Sequence, residues 1–183
     1  YIVSKRFYHF AEIIKNSYKE SRVLVSDCRD VYFYQNPETL KSVDLYIGQD
    51  GNYPHRNNKW ASGEMLNMFP DYYDLVKDKF HLCAGVFYGY TNTISTLCKK
   101  TYDLTFESRL YDKKDKGKHT TADQMALNIV AYKDFKYKNE FNNSVINLAE
   151  TFWNPDIFFV IYHQYDRIHN FFEKLKSKTK KLI

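Results

Sequence analysis

Long apolar runs are missing from this sequence of 183 residues. None approaches the roughly 20 residues needed to cross a bilayer, and no signal peptide opens the chain. Cysteine is scarce as well. Cys28, Cys83 and Cys98 form an odd count of three with no CxxC pair, which excludes a disulfide framework or zinc ribbon and suits a reducing compartment. Catalytic signatures are also lacking: there is no GxSxG elbow, Walker A loop, GxGxxG turn or HExxH helix. The chain opens at Tyr1 without a methionine, which leaves room for sequence upstream, a targeting segment included.

What is abundant is aromatic. Tyr (17) and Phe (14) help raise the aromatic share to 18%, which suits a surface that stacks on sugars or bases or touches a membrane interface. Codon bias in an AT-rich genome would give the same enrichment. A formal charge of +5 favours anionic partners, whether phosphates, acidic lipid or nucleic acid. Five lysines crowd into the basic tail at 174–183, and without them the domain is close to neutral. That concentration, with no RNP-like motif, ranks nucleic-acid binding last and leaves the tail as a solvated helix end or peripheral membrane contact.

The order of elements predicts a single α/β domain over residues 1–183, without internal repeats. Phe7, Phe10, Ile13, Ile14 and Tyr18 recur at helical spacing, and Arg22–Ser26 reads as a buried central strand. A strand over 42–48, a polar loop over 49–59, a helix over 60–69 and a strand and turn over 80–90 follow. Helices over 91–104, 122–132 and 166–178 and strands over 145–148 and 158–162 complete the pattern. Thr120 or Thr121 is placed to cap the helix from Ala122. A polar loop over 111–121 is expected to act as a lid. Asp27 and Asp30 fall at the C-terminal end of the first strand, the edge at which open α/β sheets bind ligands, and an adjacent parallel strand over 158–162 would bring His163 to the same edge. Gly85 and Gly89 are read as positions of close backbone approach.

Four segments carry a resemblance. Val23–Gln35 (VLVSDCRDVYFYQ) is similar to the DxD-type segment of nucleotide-diphospho-sugar transferases with the GT-A fold. Cys83–Gly89 (CAGVFYG) followed by Ala122–Asn128 (ADQMALN) resembles the segments beside the donor sugar, with Cys83 where such enzymes often carry Asn. Ile161–Arg167 (IYHQYDR) resembles their C-terminal metal-binding histidine segment.

The resemblance implies a GT-A-like, Rossmann-like central mixed sheet flanked by helices and truncated at its nucleotide-binding N-terminal part. It implies Mn²⁺ or Mg²⁺ at Asp30 and His163, with Asp27 a ligand or a ribose contact. Hard cations held by carboxylates neutralise a departing pyrophosphate. Asp27, Arg29, Ala84 and Gly85 become candidate donor contacts, although Arg29 reads first as a brace for the acidic loop. Asp123 and Gln124 become catalytic candidates, with Asp50 a further carboxylate whose place depends on the fold.

Trp60 is expected on the acceptor side, where aromatic rings pack on sugar C–H faces, a core anchor being the other reading. The implied activity is transfer of a hexose from a UDP- or GDP-sugar to a glycan, lipid or protein. The alternative is a non-catalytic nucleotide-sugar or glycan-binding scaffold. The implied location is cytoplasmic or membrane-peripheral, or the Golgi lumen if a targeting segment has been removed.

Overall fold

The computed structural model describes residues 2–16, 21–36, 44–107, 121–135, 145–147, 161–163 and 170–179. Helix α1 (Ile2–Lys15) forms along the stripe Phe7, Ala11 and Ile14, and these are side chains it buries. Phe7 stacks on Phe87 with ring centroids 5.8 Å apart. Ile13, expected on the same face, is exposed, and Tyr18 lies outside the described residues.

The strands form two sheets among the described residues. In the first, β1 (Arg22–Ser26), β3 (Leu45–Pro54) and β4 (Phe80–Tyr90) pair antiparallel in the order β1-β4-β3. The second holds β2 (Val31–Phe33), β5 (Val145–Asn147) and β6 (Ile161–His163) in the order β2-β6-β5, with β2 antiparallel and β5 parallel to β6. The α/β class therefore holds.

Two expectations about strands are corrected. β1 is a half-buried edge of the described sheet, whereas β4 takes the centre and is buried from His81 to Gly89. A short β-branched run reads alike at an edge and in the centre when helices cover one face, so its sequence did not distinguish the two. The strand bearing His163 is also not a parallel neighbour of β1: it pairs antiparallel with β2, placing Val31 opposite His163.

Helices α2 (Lys59–Met68), α3 (Tyr73–Val76), α4 (Thr91–Glu107) and α5 (Ala122–Asp134) follow, and α6 (Phe171–Thr179) ends the described chain. α1, α4 and α5 pack on one face of the first sheet, enclosing Leu82, Ala84 and Phe87 with Ile94, Leu97 and Leu127. On the opposite face, Val86 and Tyr88 meet Ile161 of β6. β4 thus changes sides out of turn, since Ala84 and Phe87 both face the helices. The register explains it: Leu82–Phe87 of β4 spans only Ile47–Gln49 of β3, a bulge that re-aims the side chains around Gly85.

The polar stretch expected as a loop over 49–59 is the second half of β3 and a 3₁₀ turn at His55–Asn57, with Asp50 and His55 buried. The expected turn over 80–90 is continuous strand, and Gly89 is required because a Cβ there would overlap the Asp44 carbonyl. Thr121 precedes α5 but does not cap it; its hydroxyl donates to Glu64 Oε2 at 2.8 Å. Of the expected lid only Thr121 is described, and of the basic tail Lys174 and Lys176 are exposed on α6. No described helix is long and apolar enough to cross a membrane.

Candidate metal centre

β1 ends where Asp27 N donates to Gly85 O at 2.7 Å, one bond beyond the regular ladder. The chain then bends through 28–30 into β2, whose first residue stands opposite His163. Asp27 and Asp30 are thereby brought to the end of β6 without parallel strands. His163 Nε2 lies 3.4 Å from Asp27 Oδ2 and 3.8 Å from Asp30 Oδ1. One ligand atom from each of the three residues falls within 4.8 Å of the others.

His163 is 2% exposed, and its Nε2 is buried without a hydrogen-bond partner. A buried nitrogen facing carboxylate oxygens at these distances is satisfied when a cation, proton or metal, joins them. Two carboxylates and one imidazole suit Mn²⁺, and the oxygens suit Mg²⁺, so the donor set fits the expected metals. Gly85 gives the ring its room, because a Cβ there would overlap His163 and come within 2.9 Å of Asp27 Oδ2.

The other ring nitrogen, His163 Nδ1, lies 3.5 Å from Cys83 Sγ. With Nε2 turned to the carboxylates, Nδ1–H donates to the sulfur, and a partner on the second nitrogen fixes tautomer and ring orientation. Burial pushes the Cys83 thiol up, against the pull of the imidazole beside it. Burial also pulls the His163 imidazole down, but Cys83, Asp27 and Asp30 outweigh it and hold it above its ordinary value. For Asp27, burial pushes upward and is overcome by His163 and Arg6, leaving the carboxyl below its usual range.

Arg6 is the functional residue that sequence reasoning missed. From α1 its Nη1 donates to Asp27 Oδ1 at 2.8 Å, and its Nη2 forms an ion pair with Asp123 Oδ2 at 3.0 Å, although not with hydrogen-bond geometry. It ties the acidic loop to the start of α5. The brace assigned to Arg29 thus comes from Arg6, while Arg29 is exposed. Arg6 flanks the apolar stripe of α1, and that single cation beside a buried face was the available signal. Ala84, next to Gly85, is buried with its methyl in the helix-side core.

Asp123 is buried, which pushes its carboxyl up despite Arg6. Next to it, Gln124 reaches a second polar cluster, with its Nε2 at 2.6 Å from His81 Nε2 and 3.4 Å from Asp50 Oδ2. His81 pairs with His55, and the Trp60 ring stands edge-on to His81 at 5.7 Å. Trp60 is 41% exposed, so it is not a deep core anchor. Asp50 lies close enough to Cys83 for its charge to oppose a thiolate there. The two clusters are therefore neighbours.

No protein-family model matches the chain, and no curated protein matches it by sequence.

Proposed function

We propose that this chain is part of a metal-dependent glycosyltransferase domain with a GT-A-like fold, moving a hexose from a UDP- or GDP-sugar to a glycan, lipid or protein acceptor. The observation that carries the reading is the convergence of Asp27, Asp30 and the orphaned Nε2 of His163. A bound Mn²⁺ or Mg²⁺ would supply charge neutralisation for the pyrophosphate leaving group. Asp27, Asp30 and His163 would hold that ion.

The remaining residues position and orient. Gly85 lets the His163 ring lie against the β4 backbone, and Cys83 fixes its tautomer. Arg6 sets the spacing between Asp27 and Asp123 and keeps compensating positive charge between them. Asp123 and Gln124, at the start of α5, offer an acceptor and an amide to sugar hydroxyls beside the ion. Trp60 and Asp50 form the acceptor side, one with an apolar ring and the other with a carboxylate.

The test is calorimetric titration of UDP and GDP with and without Mn²⁺, using the wild type, Asp30→Asn and His163→Ala. Metal-stimulated binding in the wild type and its loss in both variants is the expected result. Wild-type metal dependence in both variants would remove the assignment. Turnover of a bound nucleotide sugar to free sugar or product separates an enzyme from a non-catalytic binding scaffold.

One observation favours a second reading. Cys83, His163 and Asp27 are also arranged as thiol, imidazole and carboxylate, the order used to activate a cysteine nucleophile. Burial of Cys83 and its raised thiol argue against it. Rapid alkylation of Cys83 by iodoacetamide in the folded chain would favour the nucleophile.

A further inference from the structure

The buried histidine pair behind Trp60 lies outside the carboxylate–imidazole cluster, and its hydrogen bonds have a definite direction. Asn128 of α5 begins the chain. Leu82 N donates to Asn128 Oδ1 at 2.7 Å, while Asn128 Nδ2 donates to Leu82 O and Gln124 O, each at 2.8 Å. The amide is clamped and its oxygen is fixed. His55 Nε2 lies 3.1 Å from that oxygen, which can only accept, so His55 carries its proton on Nε2. His55 Nδ1 is buried without a partner, the place where a bare lone pair is tolerated better than an N–H.

His81 Nδ1 stands 2.9 Å from the same His55 Nε2. Since the proton between them belongs to His55, which shares it between Asn128 Oδ1 and His81 Nδ1, the His81 nitrogen accepts and is bare. Burial and the neighbouring His55 keep His81 neutral, so its own proton sits on Nε2. That N–H faces Gln124, whose Nε2 is 2.6 Å away. Two donors then oppose each other. A half-turn of the Gln124 amide about its last bond gives His81 an oxygen to donate to and leaves the Gln124 NH₂ turned away from the ring, in exchange for the long 3.4 Å contact of Gln124 Nε2 with Asp50 Oδ2.

We propose that His81 is a positioning residue: ordered by Asn128 and His55, its Nε2–H holds the Gln124 carbonyl and so presents the Gln124 NH₂ as a donor to an oxygen of the bound sugar. The role of Gln124 rests on the transferase reading, but the proton order does not. Nothing in the D-Q segment itself sets which way the amide faces. The residue that sets it comes from β4, and a ligand that places no acceptor oxygen there would be disfavoured.

Two measurements on the full chain test this. Long-range ¹⁵N–¹H spectra of ¹⁵N-histidine-labelled wild type report tautomers without any substitution. Both His55 and His81 should be Nε2–H at neutral pH, and an Nδ1–H on His81 would overturn the proposal whatever the chain's function. The second measurement is Mn²⁺-dependent hydrolysis of a panel of UDP-glucose, UDP-galactose, UDP-N-acetylglucosamine and GDP-mannose by wild type, His81→Gln and His81→Phe.

His81→Gln keeps an N–H near the Nε2 position and should stay within about threefold of wild type. His81→Phe keeps the ring but not the donor and should lose about 10- to 100-fold in kcat, the scale of one positioned hydrogen bond, with Mn²⁺-dependent UDP binding retained. Equal loss in both folded variants, or none in His81→Phe, overturns the positioning role. Wild type that neither binds nor turns over any of the panel removes the transferase reading and this role with it, whereas the expected tautomers would still stand.

Discussion

Gly85 and His163 touch so closely that one added carbon cannot be fitted: a Cβ on Gly85 would overlap Cε1 and Nε2 of the ring. One of the two displaced atoms is the nitrogen that faces Asp27 and Asp30. Gly85→Ala should therefore turn the imidazole away and weaken Mn²⁺ binding by roughly 10- to 100-fold, the range seen when a ligand loses its orientation. Calorimetric titration with Mn²⁺ checks this. An unchanged affinity would mean that the ring does not ligate.

Arg6 offers a separate test of how the site is assembled. It compensates the buried Asp123 and the half-buried Asp27 together. Arg6→Met keeps the stem and removes the charge, so Asp123 is left as an uncompensated buried carboxylate. Because Arg6 is partly solvated, we expect a loss of about 1–3 kcal/mol, less than for a fully buried pair. Adding Asp123→Asn to Arg6→Met should recover part of that loss in urea unfolding. A double variant no more stable than Arg6→Met would show that the ion pair contributes nothing.

Much of the carboxylate–imidazole cluster was legible because its parts sit at the ends of short apolar runs. Asp27 and Asp30 follow Val23–Ser26, and His163 ends Ile161–His163, so their arrival at sheet edges could be read from local pattern. The pairing that joins them could not. An apolar triplet such as Val31–Phe33 does not state its partner strand, and antiparallel β2–β6 pairing replaced the expected parallel one.

Arg6 and the His55–His81 pair escaped for another reason. Arg6 meets Asp27 across 21 residues, and His81 meets Gln124 across 43. Such contacts are set by how α1 and α5 pack on β4, not by spacing. The bulge at Gly85 was equally invisible, because a CAGVFYG run carries no mark of a strand changing faces.

The histidines set opposite slopes on the stability of the metal-free protein. His55 and His81 are both held below the ordinary value, His55 by burial and His81 by burial and His55. Below about pH 6.5 the unfolded chain takes up protons that the folded chain refuses. Stability should fall as the pH drops through and below 6.5, continuing toward the depressed folded values. His81→Phe, if folded, should flatten this limb. Thermal unfolding from pH 8 to pH 5, with EDTA present, measures the slope; a limb of the same steepness in His81→Phe would place its origin in the carboxylates.

His163 acts in the other direction and links protons to metal. Its imidazole is pushed up to about 10 against an ordinary 6.5. The stabilisation it gives the metal-free fold is therefore fully present below pH 6.5 and is lost as the pH rises toward 10. At pH 7 the metal-free ring is protonated and already bridges the carboxylates. A metal ligand must offer a bare nitrogen, so binding has to expel that proton.

We expect about one proton released per Mn²⁺ at pH 7, and an affinity that rises roughly tenfold per pH unit until the pH nears the raised value. Titrations in Tris and in HEPES, whose ionisation enthalpies differ, count the proton directly. A heat independent of buffer would mean that the ion displaces no proton from His163, so that the ring is either already neutral at pH 7 or not a ligand, and His163→Ala separates the two.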